Sequence, residues 1–195
     1  LTVFLIAYIW WPLAEEALAY FDRGQPWWVS LLYFDWLLVG IFLVMSFLIM
    51  ARADLRVDAR IIFVGAVGGL VIESWGTQTN LWTYYTYERP PLWIIPAWPV
   101  ASLAIDRLER LLRYSLRKIP ADWQSQFFRG LYGLVFGGFY LLMLVFVAPT
   151  FDKSFTWGAL ALSALLILTP TDHRMAVLTF AAGTGLGYFL ELWGT

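Results

Sequence analysis

The stretch Asp54–Thr77, "DLRVDARIIFVGAVGGLVIESWGT", decides how this chain is read, because its punctuating residues return in Asp172–Thr195, "DHRMAVLTFAAGTGLGYFLELWGT". Sliding the chain so that Glu73 falls on Glu191 also places Asp54 on Asp172, Arg56 on Arg174, Gly65 on Gly183 and Gly69 on Gly187. Trp75-Gly76-Thr77 then falls on Trp193-Gly194-Thr195. The shared pattern is D-x-R, eight residues, G-x3-G-x3-E-x-W-G-T. Any two apolar helices share glycine and leucine; acid, arginine and tryptophan at fixed offsets point to internal duplication.

Outward from the repeat, the composition is that of an integral membrane protein. Hydrophobic residues make up 61% of the 195 and charged residues 14%. A water-soluble domain of this size could not hide so much apolar surface. Period-two alternation is absent, which argues against a transmembrane barrel. The net charge of −1 speaks against a nucleic-acid partner. The chain has no cysteine and one histidine, His173, so thiolate chemistry and histidine-rich metal centres are excluded, and no metal or cofactor is expected.

The expected fold is all-α, a polytopic transmembrane bundle of about seven spans with a parallel internal repeat. The first four-helix repeat, residues 1–112, holds spans at about 1–20, 27–51, 57–75 and 93–112. A basic connector, 113–130, leads to a second repeat, 131–195, with spans at about 131–148, 155–168 and 175–193. Spans three and seven are four apart and so point the same way. By the repeat, a loop and an eighth span are expected to follow Thr195.

Arg52, Arg56, Arg60, Arg107, Arg110, Arg113, Arg117, Lys118, Arg129 and Arg174 gather at alternate breaks, whereas the opposite breaks hold Arg23, Arg89 and Lys153. The positive-inside rule puts breaks 52–60, 113–130 and 169–174 in the cytoplasm and the aromatic loop 76–92 outside. The basic run Arg107–Lys118 reads as a helix extension meeting anionic headgroups. The location expected is a bacterial or archaeal cell membrane.

Gly65, Gly69 and Glu73 stand at i, i+4 and i+8, one stripe of a helix, and Gly183, Gly187 and Glu191 repeat it. Small-xxx-small spacing lets a neighbouring helix approach closely, so the four glycines are read as packing positions. An ionisable group inside a span is costly and faces a cavity or a partner. Glu73, Glu191 and Asp35 all lie toward the same end of their spans and are the candidate catalytic acids and bases. A protonated carboxylic acid in an apolar cavity can donate a proton to a substrate. Trp75, Trp82, Tyr84, Trp98 and Trp193 are the candidate lipid- or substrate-binding aromatics, with the interfacial belt as the plainer reading of each.

The stretch 73–98 resembles a pattern in carotenoid-biosynthesis membrane proteins of the bacterioruberin-type hydratase family. Glu73, Gly76, Trp82, Tyr84, Pro91, Pro96 and Trp98 carry the likeness. The chain departs from the pattern at Asn80-Leu81-Trp82, where Phe-Gly is expected. The resemblance implies acid-catalysed addition of water to a terminal double bond of a polyene, with a buried proton donor and no cofactor.

Two functions stay open at this point. One is a membrane enzyme acting on a polyene, isoprenoid or other lipid through carboxylate acid/base chemistry. The other is a non-catalytic subunit or assembly factor of a membrane or pigment–protein complex, whose partners are membrane lipid, a carotenoid or other isoprenoid, and other membrane subunits. An enzyme predicts that Glu73 and Glu191 converge on a cavity with lateral access to lipid. A subunit predicts that they are hydrogen-bonded within packed helix crossings.

Overall fold

The computed structural model describes residues 36–84, 87–92, 95–118, 121–170 and 172–194, together with Phe4, Tyr8, Trp11, Glu15, Pro26, Trp28 and Val29; side chains at 37–39, 41–42, 118, 121–124 and 189–194 fall outside the description. The elements are α1 (Trp36–Met50), α2 (Leu55–Gln78), α3 (Ala97–Ser115), α4 (Ala121–Val147), α5 (Ser154–Leu168) and α6 (His173–Gly194). Short 3-10 turns, Leu116–Lys118 and Ala148–Thr150, follow α3 and α4. Among the described residues the fold is all-α.

The two D-x-R sequences do the same local work. Asp54 sits in extended backbone before α2, and its carboxylate accepts the N–H groups of Arg56 at 3.0 Å and Val57 at 3.3 Å. Asp172 accepts those of Arg174 at 2.9 Å and Met175 at 3.1 Å. Each aspartate thus satisfies two donors that the first turn leaves without an intrahelical partner. Pro96 and Pro99 flank the first turn of α3, where a missing N–H costs no helical hydrogen bond.

Helix α3 lies between the two repeated helices and antiparallel to both. Gly65 of α2 faces Ser102, and Asp58 pairs with Arg107 farther along. On the other side, a Cβ at Gly183 of α6 would lie 3.5 Å from Ile105 Cδ1, and Arg174 reaches the Arg113 carbonyl. α2 and α6 therefore run parallel to each other. Ile49 of α1 packs with Val100 and Leu103, while Phe128 and Tyr132 of α4 pack with Val177 and Leu178 of α6.

The outer surface is apolar. Val44, Phe47, Phe63, Val64, Leu134, Leu141, Leu142 and Val145 are all exposed. One stretch among the described residues, Ser125–Thr150, is long and apolar enough to cross a membrane; Ser154–Leu168 is apolar but shorter.

Within the expected connector 113–130, α3 continues to Ser115 and α4 begins at Ala121. Arginine, glutamine and alanine are good helix formers, so charge does not by itself end a helix. The basic run is also not wholly a surface feature: Arg107 and Glu109 are buried. Asp35 lies outside the described residues.

Candidate functional site

The site begins with the way α2 ends. Asn80 adopts φ 61°, the left-handed conformation that closes helices. Its N–H reaches the Thr77 carbonyl at 3.4 Å, and the Leu81 N–H reaches the Gly76 carbonyl at 2.9 Å. This paired closure reverses the chain, so that Trp82 folds back over the last turn of α2. Gly76 makes room for it: a Cβ there would fall inside the Trp82 ring. Two turns earlier, Gly69 makes the same room for Trp98, which arrives from the first turn of α3.

Glu73 lies between these two indoles and is 4% exposed. Its Oε2 accepts the Tyr84 hydroxyl at 2.9 Å and Trp82 Nε1–H at 3.2 Å; its Oε1 accepts Trp98 Nε1–H at 3.2 Å. Every one of these partners donates, which suits a carboxylate, a group that only accepts. The Tyr84 hydroxyl is held above the ordinary tyrosine range, first by burial and then by its hydrogen bond to Glu73 and the charge of that group. The Thr77 hydroxyl donates to the Glu73 carbonyl at 2.6 Å and the Thr79 hydroxyl to the Trp75 carbonyl at 2.7 Å, covering acceptors exposed at the helix end.

Four of the sequence-predicted residues, Glu73, Trp82, Tyr84 and Trp98, thus form one constellation. Trp75 does not join the carboxylate. Its Nε1–H donates to Thr156 Oγ1 at 3.3 Å, and Thr156 in turn lies 2.8 Å from Thr150 Oγ1. Trp75 still touches the cage, edge-on to Trp82 with ring centroids 6.4 Å apart. Gly65 packs on Ser102 and Pro99, whereas a Cβ at Gly187 would meet nothing within 4 Å. The side chains of Glu191 and Trp193 lie outside the described residues, as does Asp35, so no convergence with Glu73 is described.

A second polar centre was not anticipated. Arg107, 4% exposed, donates to Asp58 Oδ2 at 2.7 Å, to Asp106, and to the Ile49 carbonyl at 3.4 Å. Its sequence signal was an acid, Asp58, one turn into α2 and an arginine inside a helix that packs on it. Among the described residues no group of His, Cys, Asp and Glu is arranged to hold a metal ion. Comparison with protein-family models, curated proteins and solved structures returns no match, so the site's own chemistry is what speaks for its role.

Proposed function

We propose that this chain is a polytopic integral membrane protein of about seven spans that serves as a non-catalytic, lipid- or isoprenoid-binding subunit or assembly factor of a membrane complex. The membrane part of the reading is supported by the composition, by the exposed apolar side chains and by the span-length apolar stretch Ser125–Thr150. The arginine-rich breaks then face the cytoplasm and the loop 76–92 faces outward.

The observation that carries the non-catalytic reading is the occupation of Glu73. Both oxygens accept hydrogen bonds, from Trp98 in the α2–α3 crossing and from Trp82 and Tyr84 in the loop after α2, and the available space lies along α2 rather than at the carboxylate. A general acid for hydration must hold a proton and reach a double bond. The Trp82, Tyr84 and Trp98 donors occupy both carboxyl oxygens, and the indoles occlude them.

The enzyme reading, with Glu73 as acid or base toward a polyene, is favoured by one observation, the Tyr84 hydroxyl at 2.9 Å. Glu73→Gln and Glu191→Gln separate the two. The expected outcome is that Glu73→Gln, which turns an amide donor toward donors, lowers the melting temperature and the yield of assembled complex together. A variant that melts like the wild type while its strain accumulates a lipid precursor would overturn the non-catalytic reading. Melting in detergent, with lipid and pigment extracts from a complemented deletion strain, makes both measurements.

A further inference from the structure

A groove of about 410 Å³ runs along the outer side of the α2–α3 crossing. Its floor is Gly65, Gly68 and Gly69, its walls include Val64 and Ile72, and the Trp98 ring borders it. Arg60 to Ile72 covers about 18 Å of helix at ~1.5 Å per residue. The Trp98 N–H is turned away to Glu73, which leaves the ring as an apolar surface at that end. Gly65 and Gly69 are filled by α3, but a Cβ at Gly68 would meet nothing within 4 Å, so the floor there is open.

The opposite end of the groove is charged. Arg60 lines it and takes part in none of the ion pairs among the described residues. The nearby carboxylates are engaged elsewhere: Asp54 caps α2, and Asp58 and Asp106 hold Arg107 and Arg110. An apolar channel with an unneutralised guanidinium at one end is complementary to one apolar chain carrying an anionic head. A zwitterionic head would bring its ammonium close to the guanidinium, which repels it.

We infer that this groove binds a single acyl or isoprenyl chain of a phosphate-headed lipid, with the phosphate on Arg60 and the chain over Gly68 toward Trp98. Guanidinium suits this because its planar fork matches phosphate oxygens. The inference rests on the membrane reading above, and it is independent of whether Glu73 is catalytic.

The test uses the full chain in detergent, with hexadecanoyl lysophosphatidic acid and hexadecanoyl lysophosphatidylcholine as probes and native mass spectrometry as the readout. The wild type is expected to retain the phosphatidic form in preference. Arg60→Ala is expected to lower that affinity about five-fold, to the level of the choline form. Gly68→Leu fills the open floor and is expected to remove both adducts without lowering the melting temperature. Val64→Trp, at the exposed rim, narrows the same groove should Gly68→Leu fold poorly. Equal retention of the two probes by the wild type, or undiminished binding in both groove-filling variants, would overturn the inference. Alkaline carbonate washing of membranes separates the failures: release of the chain defeats the membrane reading, whereas retention without lipid preference defeats only the groove.

Discussion

Gly76 and Gly68 are both α2 glycines, yet the structure gives them opposite roles. Gly76 lies under the Trp82 ring, while Gly68 opens onto the groove. Gly76→Ala is expected to destabilise by about 1–3 kcal/mol, because the ring must move and with it the Trp82–Glu73 hydrogen bond. Gly68→Ala is expected to be neutral or stabilising by up to about 1 kcal/mol, the gain in helix propensity. Thermal melts of the two variants in one detergent check the pair. Tyr84 adds a pH dependence. Its folded value is raised, so the protonated hydroxyl contributes stability that is fully present below the unfolded tyrosine value of about 10 and is lost as pH rises above it. Melting temperature against pH should therefore fall less steeply above about 10 in Tyr84→Phe than in the wild type. The sequence showed Glu73, Trp82, Tyr84 and Trp98 as separate candidates. It could not show that three of them donate to the fourth, because belt aromatics and cage aromatics look alike in one dimension.

At the scale of elements, the starts of α2 and α6 are set locally, by capping. Asp54 and Asp172 each bond N–H groups two and three residues ahead. Asp172→Ala is expected to cost about 0.5–2 kcal/mol, and Asp172→Asn much less, since asparagine also caps. Melting of the two variants beside the wild type decides it. The burial of charge within α3 has a different origin. Arg107 and Glu109 read as part of a helix extension meeting headgroups, but a charge can stay inside a bundle when a neighbouring helix supplies its partner. Asp58 does so for Arg107.

In the whole molecule, α3 is the shared partner of both repeated helices and carries the buried charge that joins α2 to α1. Arg107 ties Asp58 of α2 to the Ile49 carbonyl of α1. Arg107→Ala is expected to cost about 3–5 kcal/mol, because it leaves Asp58 buried without its cation. Arg107→Met combined with Asp58→Leu should recover most of that loss, since the uncompensated charge is then gone. Chemical or thermal denaturation of the single and double variants tests this, and a double variant as unstable as Arg107→Ala would refute it. The helical class, the apolar character and the glycine stripe followed from sequence alone, because each depends on composition or on residues within about one turn of each other. The carboxylate cage did not. Its donors come from 9, 11 and 25 residues along the chain, and the Trp75–Thr156 link from 81. Only the reversal at Asn80 and the packing of α3 on α2 bring those groups within hydrogen-bond reach. The partners of a buried charge are set by which helices meet, and the order of residues along one helix does not encode that.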